Sequence, residues 1–181
     1  MKPTVLNVAG PEGEPVSLSW SSDRVFRFQG RTGSGKTTAL RQAVADFEAQ
    51  GGEALVHVES AWHGYLFPTK LFTFSAARDT VPCIEELTTV RLDGETQTPL
   101  LFAMEDVTRH DQDVTLTTRL LQVARHAEAL NAWVIVTGHD FAVGSHAADE
   151  LADFAPREYQ FQNFPKSQWY AYDRGYRVGS Q

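Results

Sequence analysis

The chain has 181 residues, of which 42% are hydrophobic and 22% charged, and it carries a net charge of −7. That length suits one domain spanning residues 1–181 with a sizeable core, and the composition excludes the disordered and fibrous classes. There is no transmembrane-length apolar run and no signal-peptide core, and the single cysteine, Cys83, excludes a disulfide framework and a cysteine-rich metal site, so a cytoplasmic chain is predicted.

The first predicted elements are two short strands, Val5–Val8 and Val16–Trp20, joined by a Gly/Pro-rich turn over residues 10–15, a hairpin flanking the main sheet. Val25–Phe28 follows as a β-branched and aromatic strand and runs into Gly30-Arg31-Thr32-Gly33-Ser34-Gly35-Lys36-Thr37. This stretch fits the P-loop pattern G-x-x-x-x-G-K-[ST], in which glycines let successive backbone N–H groups turn inward around a polyphosphate. Lys36 reaches the phosphate oxygens, the Thr37 hydroxyl holds Mg²⁺, and Thr38 completes the nucleotide-binding stretch. Leu40, Ala43, Val44 and Phe47 recur at the spacing of one helix face, which predicts a helix whose N-terminal dipole meets the bound anion. Gly51-Gly52 ends that helix as a cap. Strand, glycine loop and helix together predict a nucleoside triphosphate site.

Ala54–Val58 is a short apolar run of buried-strand type, with Glu59 at its carboxyl end, where open α/β sheets bind ligands. Glu59 is therefore either a carboxylate that polarises a water beside the γ-phosphate or a solvated loop residue. An aromatic loop with Trp62, Tyr65 and Phe67 leads to a strand at Leu71–Phe74, and Ile84, Leu87 and Val90 predict a short helix over 82–90, begun near Pro82. Leu100–Met104 then delivers Glu105-Asp106, the Walker B arrangement of a buried strand ending in two acids. By position Glu105 is the metal-side acid and Asp106 the base; the usual order is Asp-Glu, so the division of labour within this swapped pair stays open.

Thr115–Asn131 reads as an amphipathic helix with Leu116, Leu120, Val123, Ala127 and Leu130 on one face. Arg119 falls at the edge of that face, while Arg125 and Leu121 fall on the outward side. Ala132–Thr137 is another buried strand, followed by Gly138-His139-Asp140; His139 is a candidate γ-phosphate sensor or an ordinary loop residue. The tail predicts strands at Glu158–Phe161 and 169–172, with a terminal hairpin turning at 173–175. Arginines and Lys166 outnumber acids beyond residue 156, and aromatics interleaved with arginine either stack on bases or pack a sheet edge.

The order of these elements, with an extra strand between the P-loop strand and the Walker B strand and a polar-tipped strand after it, resembles the additional-strand P-loop ATPases of RecA-like fold. Within that group the chain resembles the FtsK–HerA superfamily of DNA-pumping ATPases over roughly residues 24–141. The resemblance rests on GRTGSGKT, on LLFAMED, and on Leu120–Arg125 running through Trp133–His139. It implies an α/β fold with a mostly parallel sheet flanked by helices and by N- and C-terminal β-hairpins, with ATP and Mg²⁺ as cofactors. It also implies that Arg125 acts on a neighbouring subunit's nucleotide, with Arg119 the runner-up. His139 stands where the family has glutamine, a departure like the Glu-Asp order.

The function so implied is ATP-driven translocation of double-stranded DNA by a homo-oligomeric ring, a pentamer or hexamer. Minimal members resemble the genome-packaging ATPases of tailless, membrane-containing DNA viruses, with capsid or membrane vertex proteins as partners; a conjugation or secretion motor is the alternative. A small P-loop kinase and a non-hydrolysing nucleotide-dependent interaction module are the readings from other classes. No Asn-Lys-x-Asp guanine motif and no Leu-Ser-Gly-Gly-Gln signature is present.

Overall fold

The structure, a computed structural model, describes residues 1–6, 16–58, 67, 69, 72–74, 76–94, 98–106, 114–138, 150, 153–154 and 158–161. In chain order its elements are β1 (Thr4–Leu6), β2 (Val16–Leu18), β3 (Val25–Gly30), α1 (Lys36–Ala49), β4 (Glu53–His57) and β5 (Phe72–Phe74). Then come α2 (Ala77–Leu92), β6 (Leu100–Met104), α3 (Val114–Arg125), β7 (Ala132–Gly138) and β8 (Glu158–Phe161).

Six strands form one sheet in the order β5-β4-β6-β7-β3-β8, and every pairing in it is parallel. Parallel strands are covered on both faces, which is why β6 is apolar along its length, β7 is apolar as far as Val136, and both are buried throughout. Alternate residues divide between the faces. Phe26, Phe28, Leu101, Ala103, Trp133 and Ile135 meet Leu40, Val44 and Phe47 of α1. Phe102, Met104, Val134 and Val136 meet Ile84 of α2 and Leu116, Leu120 and Val123 of α3. Each fully buried Leu, Ile or Phe contributes roughly 1.5–3 kcal/mol, so this three-layer packing fixes where the strand ends lie.

The strands β1 and β2 pair antiparallel as the predicted hairpin, in a separate two-stranded sheet. Its Leu6 and Leu18 join the α1 side of the core with Trp20, whose indole donates to Thr4 Oγ1 at 2.6 Å and packs edge-on against Phe26 and Phe47. The α1 helix ends as expected at Gly51-Gly52. Gly51 has φ 91°, and the Gly51 and Gly52 amides donate to Glu48 O and Phe47 O, the bonding pattern of a Schellman cap. The predicted strand at the tail's start is β8, which lies parallel beside β3; the predicted C-terminal hairpin falls outside the described residues.

Three expectations need correction. The α2 helix starts at Ala77, five residues before Pro82, because Thr80 and Asp79 close its first turn on Ala76 O; Pro82 lies inside the helix, which forgoes the one main-chain hydrogen bond that proline cannot donate. The α3 helix stops at Arg125, and residues 126–131 turn, with Asn131 at φ 48°, to feed β7. Leu121 is buried at 8% exposure, not outward, because α3 packs against both the sheet and α2 and so buries a wider stripe than a single face.

Candidate nucleotide site

The site forms where β3 and β6 end on the same edge of the parallel sheet. The loop after β3 turns through Gly30, Gly33 and Gly35, all at positive φ, before α1 begins at Lys36. Gly30 also sits against the end of β8: a Cβ there would lie 2.4 Å from Phe161 O and 2.7 Å from Ser34 Oγ. No side chain fits, so the loop's first residue must be glycine. Arg31, Thr32 and Gly33 form the exposed crest, Ser34 is buried, and Gly35 and Thr38 are partly buried.

The Lys36 ammonium is buried in this loop and donates to Gly30 O at 2.7 Å and to Arg31 O at 3.0 Å. Burial lowers its pKa, and the nearby carboxylates of Asp106 and Glu105 partly restore it, Asp106 the more strongly. Thr37 Oγ1 donates to Glu105 Oε1 at 2.6 Å. This bond joins residues 68 positions apart in sequence, and it puts a hydroxyl and a carboxylate side by side at the start of α1. Glu105 N–H donates to His57 O at 2.8 Å, which ties the end of β6 to β4.

Asp106 is 4% exposed and has φ 49°, a conformation that costs an L-residue about 1–2 kcal/mol, though aspartate and asparagine adopt it more readily than most. Its N–H donates to Thr137 Oγ1 at 2.9 Å. Thr137, 1% exposed near the end of β7, is a site residue that the sequence reading missed. Its one signal was a hydroxyl closing an otherwise apolar run.

The structure therefore brings together Lys36, Thr37, Glu105 and Asp106. Arg125 lies apart, as the exposed last residue of α3, in an ion pair with Glu150 at 3.0 Å. Arg119 bridges α3 to Glu85 of α2 at 2.5 Å and donates to Gln122 at 2.8 Å, a bracing position between helices. Glu59 and His139 lie outside the described residues.

A buried ammonium, a glycine-lined loop at a helix N-terminus and a hydroxyl–carboxylate pair of hard oxygen donors fit a nucleotide polyphosphate with Mg²⁺. The strand β7 lies between the P-loop strand β3 and the acid-bearing strand β6. Sheet and loop together define an α/β P-loop ATPase fold of the additional-strand kind.

No protein-family model and no curated protein matches the chain. Solved structures do. EccC from Thermomonospora curvata (ATPases 2 and 3), in complex with a signal sequence peptide, superposes with a TM-score of 0.69 at 15% identity, over 88% of this chain and 33% of that one. EssC (ATPases 2 and 3) from Geobacillus thermodenitrificans gives 0.66 at 13%, over 94% of this chain and 38% of that one. The pCW3 conjugation coupling protein TcpA, in a monomer form with ATPγS, gives 0.68 at 10%, over 93% of this chain and 56% of that one. At these identities the likeness is one of fold, and the chain spans about a third (33%) of the EccC structure.

The lowered pKa of Lys36 has a pH signature. Between that lowered value and the ordinary lysine value the unfolded chain holds more protons than the folded one, so this residue's contribution to stability rises with pH across the window. Over the same window the ammonium is lost, and affinity for a nucleotide polyphosphate held by Lys36 should fall. Thermal melts and ATPγS titrations over the alkaline range below the ordinary lysine value, wild type against Lys36→Met, should show the two trends with opposite sign in the wild type only.

Proposed function

We propose that this chain is a Mg²⁺-dependent ATPase that couples hydrolysis to the movement of double-stranded DNA, acting as one subunit of a homo-oligomeric ring. The observation that carries the ATPase reading is the convergence of Lys36, Thr37, Glu105 and Asp106 at one sheet edge, with Thr37 hydrogen-bonded to Glu105. The loop amides of residues 30–37 and the Lys36 charge hold the phosphates and offset the charge that builds on them. Thr37 and Glu105 hold Mg²⁺, which, when bound, neutralises phosphate oxygens. Asp106, which follows the Thr37-bonded Glu105 at the end of β6, takes the proton of the attacking water. Glu59 and His139 are assigned supporting roles at the γ-phosphate on sequence grounds alone.

The DNA-moving part of the proposal rests on the resemblance to the FtsK–HerA superfamily, and packaging of a viral genome is its narrowest form. A second reading, a conjugation or secretion motor, is favoured by the structural likeness to TcpA and to EccC. In either form Arg125 is assigned a role in trans. Its exposure frees it from the core, and its ion pair with Glu150 is a surface contact worth about 0–1 kcal/mol, weak enough to exchange for a partner's phosphates.

The test is ATP turnover with and without double-stranded DNA, measured together with the mass in solution. A ring whose turnover DNA stimulates is the expected result. A monomer that turns over only with a small acceptor would make the chain a kinase instead. Mixing Arg125→Ala with Lys36→Ala subunits, each inactive alone, should restore part of the activity; full activity of Arg125→Ala by itself removes that residue from the mechanism.

A further inference from the structure

We infer that Thr137 is the positioning residue for Asp106: its hydroxyl holds the backbone of the proposed base in the turned conformation that keeps the carboxylate at the phosphate site. The inference rests on the ATPase reading of that site and adds to it a residue from a different strand.

The geometry begins with the end of β6. Met104 pairs with Val136 across the parallel ladder, so the chain leaves β6 beside Thr137. Glu105 still donates its N–H to His57 O at 2.8 Å, but the chain bends at this residue, past the end of the strand. Asp106 departs from it, at φ 49°. A non-glycine residue keeps a positive φ only where its surroundings over-determine it. Here the determinant is the Thr137 hydroxyl, which accepts the Asp106 N–H at 2.9 Å between two residues that are 4% and 1% exposed. Water has little access to replace that acceptor. Without it, the buried N–H would be left unpaired, and the backbone would relax toward an extended course to find another partner.

The consequence falls on the carboxylate. Glu105 is bonded to Thr37 at the start of α1, and Asp106 follows it on the same edge of the sheet. The turned backbone at Asp106 sets the direction in which this acid leaves the end of β6. Thr137 belongs to β7, the strand inserted between β3 and β6. The inserted strand thus fixes the geometry of an acid on its neighbour, a role that a main-chain ladder alone would not supply. Thr137 acts through Asp106 and needs no contact with the nucleotide.

The experiment compares Thr137→Val and Thr137→Ala, which remove the acceptor, with Thr137→Ser, which keeps it. Steady-state kcat and KM for Mg-ATP, ATPγS affinity and hydrogen exchange of the Asp106 amide are measured for each. Removal of the acceptor should lower kcat about 10²-fold, the scale of a small misplacement of a reacting group. ATPγS affinity should stay unchanged, Asp106 amide exchange should accelerate, and Thr137→Ser should restore both kcat and exchange protection. In an Asp106→Asn background Thr137→Val should lower the residual rate no further, since the two residues act as one unit. A wild-type kcat in Thr137→Val, or a serine variant as slow as the valine one, would overturn the assignment, as would Asp106 exchange that does not change. If the wild-type chain turns over no ATP, the ATPase reading fails; Asp106 exchange, accelerated by valine and restored by serine, then still decides whether Thr137 holds this backbone.

Discussion

Lys36→Ala is expected to abolish ATP turnover while leaving the protein folded. The Lys36 ammonium is buried at the loop, held by Gly30 O at 2.7 Å and Arg31 O at 3.0 Å. Its removal takes away a preorganised charge that stabilises the phosphoryl group during transfer, a loss on the order of 10²–10³ in kcat or more. Stability should move little. The substitution relieves the burial that lowers the lysine's pKa, while Glu105 and Asp106 lose their counter-charge, and these two effects oppose one another. Thr37→Ala should behave alike, because it removes the hydroxyl bonded to Glu105. Phosphate release and a thermal melt on the same sample check both variants, and wild-type turnover by folded Lys36→Ala would end the P-loop account.

Asp106→Asn should block hydrolysis and spare binding. In its proposed role as general base the carboxylate would act on water, so its amide should lower kcat by about 10²–10⁴-fold and leave nucleotide affinity near wild type. Asparagine also tolerates positive φ and keeps the N–H that Thr137 accepts, so the backbone at this position survives the change. Glu105→Gln should behave differently. Its carboxylate sits 2.6 Å from Thr37 Oγ1, on the metal side, and losing its charge weakens binding that depends on Mg²⁺. Equilibrium binding of ATPγS with and without Mg²⁺, set beside single-turnover rates, separates the two. Reversed phenotypes would exchange the roles of the two acids and keep the Walker B strand.

Much of the site was legible before the structure because its parts are local. The P-loop is one contiguous stretch, and β6 and β7 announce themselves as apolar runs because both faces of a parallel sheet are covered. What escaped depends on topology. Thr137 and Asp106 are 31 residues apart, and only the β6–β7 register brings the hydroxyl to the amide. Leu121 was placed outward on a helix wheel drawn for one contact face, whereas α3 has two, the sheet and α2. The start of α2 was missed for another reason: Pro82 imitates a helix start, and the turn closed by Thr80 on Ala76 O carries no apolar periodicity. Arg125 was read correctly as exposed, but its pairing with Glu150 lay beyond any local pattern.

The central claim is that the loop at Gly30–Thr37 and the acids Glu105 and Asp106 form one ATP-hydrolysing site. Its most direct test is phosphate release from ATP by the purified chain, with and without Mg²⁺, alongside the Asp106→Asn protein. The account predicts Mg²⁺-dependent release by the wild type and release slowed by about 10²–10⁴-fold in Asp106→Asn, although that variant still binds ATPγS. Failure of the folded wild-type chain to bind ATPγS, or equal release by both proteins, would contradict it.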